Sequence, residues 1–270
     1  MLRKIILWTL AILVTYGSAK YQRATGPTHP IDDQRTFADQ TISYSLTRTH
    51  GGEGDQPIVI KVSGSSIDGN LHYRRYKAPE AFTVLPMMPA GDSLTGYLPH
   101  QPPAGKLEYY VELIYNDKSL IIPGDQTVVT RFKGAVPKAV LAPHIILMFA
   151  VMLLATRTGL EALFKDGRLK NLTLITTLTL AVGGMIMGPV VQKYAFGAFW
   201  TGVPFGWDLT DNKTLIAFIS WVIALWRTRV STNSRWWVLA AAIILMGIFM
   251  IPHSMMGSEL DYASGEVKTG

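Results

Sequence analysis

Two histidines flank a loop that is rich in aromatic residues in the second half of the chain. His144 and His253 each follow a proline, and between them lies Tyr194 to Lys213, with the sequence YAFGAFWTGVPFGWDLTDNK. A neutral imidazole is a good ligand for iron, copper and zinc. The chain has no cysteine, which excludes disulfides, zinc–thiolate sites and iron–sulfur clusters. Any metal or haem would therefore depend on histidine, methionine, tyrosine or carboxylate ligands.

The segments that must position these histidines are long and apolar. The chain is 49% hydrophobic and only 16% charged, which is too apolar for a wholly soluble protein. We predict a four-helix transmembrane bundle over residues 139–256, with spans at 139–156, 172–191, a third ending at 226, and 236–251. Only 13 residues separate Lys213 from Arg227, about 20 Å of helix, so the third span must begin earlier, near Leu209. Asp208 is then its natural N-cap.

The N-terminal residues 1–19 have two interpretations. Arg3 and Lys4 precede about a dozen apolar residues, and Gly17, Ser18 and Ala19 come next. This is the outline of a signal peptide with a small-residue cleavage site, and it also fits a retained anchor helix. Either interpretation starts the chain in the cytoplasm and exports the residues after position 19.

The charge distribution indicates membrane orientation. The net charge is +6, and three short stretches (Arg3 and Lys4, 157–170 and 227–235) hold 9 basic and 2 acidic residues. Such an excess keeps short loops in the cytoplasm. We therefore expect a multi-pass protein of the inner (plasma) membrane, in contact with the lipid bilayer, whose C-terminal tail (257–270) lies on the periplasmic or extracellular side with the exported residues 20–138. No nucleic-acid partner is expected.

Residues 20–138 predict an exported all-β domain. Alternating runs separated by Gly, Pro, Asp and Asn, such as 58–62 and 107–115, suggest about seven strands in an antiparallel β-sandwich. The stretch QPPAGKLEYYVELIYNDKSLIIP (101–123) resembles late strands of fibronectin-III and immunoglobulin-like bacterial modules, although the domain has no cysteine pair. That resemblance implies a fold only. Glu108 and Glu112 should share one strand face, and His29, His50, His72 and His100 show no ligand spacing.

The aromatic loop 192–213, between two histidines on the same side of the membrane, is similar to the tryptophan-rich (WWD-type) loop of haem-handling membrane proteins of cytochrome c maturation. The resemblance implies that His144 and His253 are axial haem ligands. It further implies that Gly197, Trp200, Trp207 and Asp208 shape the haem platform. The match departs from the family because Trp200 and Trp207 are separated by TGVPFG and because Phe196 stands where the family has a tryptophan.

The physical requirements of haem support the same candidate site. Haem needs two facing imidazoles, aromatic walls, and cationic or N–H groups for its propionates. The predicted helix start at Asp208 to Asp211, with Lys193 or Lys213, offers the last of these. Against this, aromatic residues at a membrane boundary are ordinary anchors, and Asp208 is more simply a cap than a ligand.

Three functions remain open from the sequence. The first is binding of haem b by His144 and His253, for haem handling or electron transfer. The second is a non-catalytic accessory or assembly subunit of a larger membrane complex, with an exported or membrane protein partner. The third is a copper site, because Met255 and Met256 follow His253. An enzyme is least favoured, since no nucleophile or acid–base pair emerges.

Two local features of the predicted spans concern helix packing. Gly184 and Gly188 in GGMIMGP should allow close helix approach, with Pro189 ending that helix. Arg157 and Glu161 are one helical turn apart and should form an ion pair.

Overall fold

A computed structural model describes residues 1–62, 66–252 and 258–268. The chain divides into two compact units. The helical unit contains Met1–Pro27 and Val136–Ser258, and the β unit contains Thr28–Ala135 and Glu259–Lys268. Helices and β-sheets thus occupy separate parts of the chain, as the sequence predicts.

The helical unit is built from long apolar helices. Three helical stretches are long and apolar enough to cross a membrane: Leu2–Thr25, Lys138–Ala162 and Leu169–Phe196. A further apolar helix, Arg235–Met250, has only 16 residues. The elements in chain order are α1 (Leu2–Thr25), α2 (Lys138–Ala162), α3 (Leu169–Leu180), a π-helical segment (Ala181–Met187), α4 (Gly188–Phe196), α5 (Leu209–Val230) and α6 (Arg235–Met250).

The predicted start of α5 is confirmed. The helix begins at Leu209, and the side chain of Asp208 accepts hydrogen bonds from the backbone N–H groups of Thr210 and Asp211. These are two of the four N–H groups that a helix start leaves without a partner inside the helix. The sequence predicts this N-cap because its hydrogen bonds join residues only two and three positions apart.

Glycines let neighbouring helices approach closely. A Cβ atom built on Gly159 of α2 would lie 2.6 Å from the Cβ of Ala242 in α6, and one on Gly184 would lie 2.9 Å from Thr214 Cγ2 in α5. Close backbone approach stabilises helix pairs where lipid removes the hydrophobic driving force. The predicted packing role of Gly184 is therefore confirmed.

The helix that follows the loop after α2 contains a local change of winding. Residues Ala181–Met187 are π-helical, so each carbonyl there bonds five residues ahead rather than four. Pro189 lies in the first turn of α4, and the helix continues to Phe196. Our expectation that Pro189 ends the helix is wrong. A π adjustment is one way in which a helix satisfies the carbonyl that a proline cannot bond.

The described part of the β unit has eleven strands before residue 135. They are β1 (Ile31–Phe37), β2 (Gln40–Leu46), β3 (Thr49–Gly51), β4 (Gln56–Val62), β5 (Asp68–Arg75), β6 (Thr83–Pro86), β7 (Met88–Ala90), β8 (Ser93–Leu98), β9 (Lys106–Tyr115), β10 (Lys118–Ile122) and β11 (Val128–Lys133). One sheet has the order β1-β2-β4-β8-β7, and the other has the order β3-β11-β9-β5-β6 with β10 paired to β9. β3 and β11 run parallel, and the remaining pairs are antiparallel.

Both sheets contribute to one hydrophobic core. In β4 the residues Ile58, Ile60 and Val62 are buried while their neighbours are exposed, which is the period of two expected for a half-buried strand. They share a core with Tyr109 and Val111 of β9 in the other sheet. Burial raises the pKa of Tyr109, whose hydroxyl donates a 2.8 Å hydrogen bond to the carbonyl of Thr47. The polar group in the core is thereby satisfied.

The C-terminal residues form part of the β unit. Strands β12 (Glu259–Leu260) and β13 (Val267–Lys268) make a small antiparallel pair. The N–H of Leu260 donates to the carbonyl of Ala104, and the hydroxyl of Tyr262 donates to the carbonyl of Lys106. Residues 259–268, which we expected to be a separate tail, are thus held on the β unit, and we name them the C-terminal clip.

Candidate functional site

His144 lies on α2 with one ring nitrogen already engaged. Its Nδ1 lies 3.0 Å from the carbonyl oxygen of Gly183, in the π-helical segment. A carbonyl oxygen only accepts hydrogen bonds, so Nδ1 carries the proton and Nε2 of the neutral ring keeps a lone pair. The same arrangement fixes the tautomer and ring orientation of metal-bound histidines. Nε2 is therefore the ring nitrogen of His144 that carries no proton.

The π-helical winding and a glycine make this contact possible. The Gly183 carbonyl also accepts the N–H of Gly188, five residues ahead. A Cβ atom on residue 183 would lie 2.9 Å from the Cβ of Leu147, one turn from His144 on α2. Only glycine therefore lets the π segment come close enough to α2 for its carbonyl to reach the imidazole.

A chain of contacts leads from this segment to the residues just before His253. Gly184 packs against Thr214 of α5. The neighbouring Lys213 is buried, and its Nζ donates to the carbonyl of Ile251 at 3.0 Å and to that of Pro252 at 3.5 Å. α5 thus contacts both the π segment that holds His144 and the backbone of residues 251–252. His253, Met255 and Met256 lie outside the described residues.

Asp208 uses both carboxylate oxygens within the protein. Oδ1 caps α5, and Oδ2 accepts hydrogen bonds from the N–H of Ser258, at 3.3 Å, and from its hydroxyl, at 3.1 Å. The residue is 4% exposed. Its described contacts make it a structural link between the start of α5 and the chain that follows α6.

Asp211 organises residues 197–208, the part of the predicted loop 192–213 that lies between α4 and α5; we call this part the outer aromatic loop after its predicted position. One oxygen, Oδ2, accepts hydrogen bonds from the N–H groups of Thr201 (2.6 Å) and Gly202 (3.0 Å), the Thr201 hydroxyl (3.2 Å) and the Gln192 amide (3.1 Å). Asn212 adds a bond from the N–H of Val203 at 2.7 Å. The sequence pattern did not predict this network, because an acidic residue in the first helical turn is equally explained by the helix dipole.

The aromatic side chains of the loop differ in their surroundings. The indole Nε1 of Trp200 donates to the carbonyl of Val203 at 3.1 Å, so this predicted platform residue closes the loop on itself. Trp207, by contrast, is 76% exposed, and Phe205 is 81% exposed. The loop therefore has a tethered backbone while presenting large apolar side chains. Gly197, also predicted for the platform, takes a φ of +86° at the end of α4, which favours glycine.

The two lysines expected beside the haem propionates are engaged within the protein. Lys213 is buried and bonds to the carbonyls after α6. Lys193 donates to the carbonyl of Gly197 at 2.6 Å and lies over the ring of Phe199. The N-terminus of α5 is likewise occupied by Asp208. Each of these three groups thus has a partner within the protein, and its role beside haem propionates stays a prediction.

A second polar cluster lies on the outward face of the β unit. The register of β5 and β9 places His72 opposite Tyr110, and their rings stack with centroids 4.4 Å apart. His72 Nε2 lies 3.1 Å from Glu112, and Arg74 lies 2.7 Å from Glu108. The two glutamates do share a face, as expected, but each is paired with a residue of the next strand. This pairing depends on sheet register, which spacing along one strand does not encode.

The described residues contain no group of three histidine, aspartate or glutamate side chains that could hold a metal ion. The predicted site residues Trp200, Trp207 and Asp208 lie in the loop just before α5. α5 also packs against the π segment, and a carbonyl of that segment holds the ring of His144. The ligand pair His144 and His253 stays a prediction, since only His144 is described.

Comparisons with known proteins give little further information. No protein-family profile and no curated protein matches the chain. Among solved structures, the crystal structure of a Br derivative of BhCBM56 matches with 13% sequence identity and a TM-score of 0.25. The match covers 37% of this chain and 98% of that one. A likeness at this level supports no conclusion about fold or function.

Proposed function

We propose that the protein binds a haem b at the outer face of the membrane, with His144 and His253 as axial ligands, for haem handling or electron transfer. The observation that carries the proposal is the hydrogen bond from His144 Nδ1–H to the Gly183 carbonyl. It leaves Nε2 free of a proton and fixes the ring, as in metal-bound histidines. No enzymatic step is part of the proposal.

A haem suits the available ligands better than a bare metal ion. A structural zinc site needs four protein ligands and a catalytic one needs three, whereas the predicted ligand set consists of two histidines, His144 and His253. A porphyrin supplies four nitrogen ligands itself, so two imidazoles complete the coordination of iron. Lys213 supports the pairing because it holds the backbone of residues 251–252, directly before His253, against α5.

The orientation in the membrane is part of the proposal. The C-terminal clip belongs to the same compact unit as residues 28–135, so the chain must return to the side of the β unit after α6. An even number of crossings between residues 136 and 258 is then required. Four spans (α2; α3 to α4; α5; α6) satisfy this condition and keep the basic loops 157–170 and 227–235 in the cytoplasm. The β unit, proposed to be a β-sandwich, and the outer aromatic loop then lie outside the inner membrane.

The test is optical. We expect the protein, purified in detergent from cells supplied with haem, to give a reduced-minus-oxidised spectrum of a low-spin b-type haem. His144→Ala and His253→Ala should each abolish or shift the bands, while His29→Ala and His50→Ala in the β unit should not. Metal analysis of the same sample distinguishes iron from copper. Absence of haem bands, or bands that survive both substitutions, would overturn the proposal.

A second candidate function is an accessory subunit that docks a protein partner. It is favoured by the outer aromatic loop, in which buried Asp211 tethers the backbone while Phe205 and Trp207 are exposed. Exposed aromatic side chains on a rigid support are typical of interface anchors. The expectation is that an exported or membrane protein co-purifies with the chain and is lost on Phe205→Ser and Trp207→Ser. Co-purification that survives removal of both aromatic side chains would count against this function.

A further inference from the structure

The N-terminal helix α1 buries one face within the helical unit. Leu7, Ala11, Thr15 and Ser18 are all less than 10% exposed, and their spacing of four, four and three residues places them on one side of a helix. Residues on the other side, such as Tyr16, are exposed. α1 therefore packs as one member of a group of helices.

Charged side chains fix the N-terminal end of α1. The Arg3 guanidinium lies 3.4 Å from Glu161, in the last turn of α2, and 2.8 Å from Asp166, just after that helix. Glu161 also pairs at 2.7 Å with Arg157, which confirms the predicted ion pair. Both members of that pair are 4% exposed, and Arg157 lies 5.5 Å from the ring centroid of Trp8 in α1.

Removal of α1 would leave this cluster poorly satisfied. Asp166 and Glu161 would lose Arg3, and Arg157 would lose the aromatic ring beside it. Glu161 and Arg157 would keep their 2.7 Å ion pair, but these two buried charges would have fewer interactions to offset the cost of their desolvation. The interactions of α1 with α2 are thus part of how the inner end of the helical unit is held together.

One of the small residues that resemble a cleavage site, Ser18, also has a packing role. Gly17, Ser18 and Ala19 lie inside α1, which continues to Thr25 without a break. Ser18 is buried, and its hydroxyl lies 3.9 Å from the sulfur of Met250 at the end of α6. A helix of 24 residues is about 36 Å long, which is enough to cross a hydrocarbon core of about 30 Å.

We infer that α1 is a permanent helix of the mature protein, packed against α2 and α6 and fixed by Arg3, and that it is not removed as a signal peptide. Ser18 serves helix contact. The inference does not depend on haem binding and has a separate test.

The first measurement is the intact mass of the protein purified from membranes. We expect a mass that includes residues 1–19; the 270 residues of the sequence account for 29.8 kDa. A mass lower by that of residues 1–19, or by any cut at Gly17 to Ala19, would overturn the inference directly.

The second measurement tests the packing. Because the chain has no native cysteine, Ser18→Cys with Met250→Cys can be cross-linked by a short bifunctional thiol reagent in native membranes. The matched control is Tyr16→Cys with Met250→Cys, since Tyr16 is 64% exposed on the other side of α1. We expect intramolecular cross-linking of the first pair only. A full-length protein with equal yields for both pairs would overturn the proposed packing.

Discussion

Substitution of Asp211 should detach the outer aromatic loop from α5. In the wild-type protein its carboxylate satisfies two backbone N–H groups, of Thr201 and Gly202, and the side chains of Thr201 and Gln192. A buried donor left without a partner costs about 1–3 kcal/mol. For Asp211→Ala, two stranded backbone donors therefore predict a loss of roughly 3 kcal/mol, after allowing for water reaching the opened loop.

The assay is thermal unfolding in detergent, followed by tryptophan fluorescence, with limited proteolysis of the loop in parallel. A loss of about 3 kcal/mol corresponds to a fall of about 6–12 °C in Tm for a chain of this size. Asp211→Asn keeps one acceptor oxygen and should lie between the wild type and Asp211→Ala. Asn212→Ala, which removes a single bond to the Val203 N–H, is the matched control and should cost about 1 kcal/mol. Equal effects for Asp211→Ala and Asn212→Ala, with no new proteolytic site in the loop, would refute the reasoning.

Three further predictions concern the glycine contacts and the C-terminal clip. Gly183→Ala should push the π segment away from α2, at a cost of about 1–3 kcal/mol, and lower haem occupancy if His144 is a ligand; thermal unfolding and absorbance measure the two effects. Gly105→Ala would place a Cβ atom 2.8 Å from Gln101 Cβ and 3.0 Å from the clip's tyrosine hydroxyl, so faster amide exchange is expected in residues 259–268. Acidification should release the clip as well. Burial raises the pKa of Glu259, but Lys106 and Lys77 together lower it by more, and a hydrogen bond from Lys268 holds the pKa of Asp261 at about 2. Because both carboxylates bind protons more weakly in the folded clip, docking is favoured above their ordinary pKa values and weakens as the pH falls through about 4 towards 2.

Two glycines with free space serve as controls for these substitutions. A Cβ atom on Gly247 of α6 or on Gly51 of the β unit would meet nothing within 4 Å. Gly247→Ala should be neutral or slightly stabilising because alanine is the better helix former. If Gly247→Ala lowers the stability as much as Gly183→Ala does, the helices do not tolerate an added methyl group in general. The loss in Gly183→Ala would then not be due to the contact with α2. Clip exchange that does not change between about pH 6 and about pH 3, after correction for intrinsic rates, would contradict the role of the carboxylates.

The features that the sequence predicts well are those that depend on neighbouring residues. The alternation at Ile58, Ile60 and Val62 predicted a strand, and the length argument placed the start of α5 at Leu209 with Asp208 as its cap. The ion pair of Arg157 with Glu161 followed from helical spacing alone. In each case the partner lies within one turn or one strand.

The features that were missed depend on contacts between distant segments. Asp211 bonds to the loop backbone rather than acting only as a first-turn acid, and Lys213 bonds to carbonyls 38 and 39 residues away. The π winding near Gly183 has no signal beyond glycine and proline content. His144 could be singled out from the sequence by its residue type and its place near a helix start. The hydrogen bond that fixes its tautomer, however, required the packing of two helices.

The C-terminal clip also sets an order of assembly. The β unit includes residues 259–268, yet about 125 residues separate the end of β11 from residue 259. The intervening residues form all the helices from α2 to α6. At a translation rate of about 5–20 residues per second, the ribosome needs roughly 6–25 s to make them. During that interval the carbonyls of Ala104 and Lys106 lack the hydrogen bonds that they accept from Leu260 and Tyr262. Completion of the β unit therefore requires that every helix from α2 to α6 has already been synthesised.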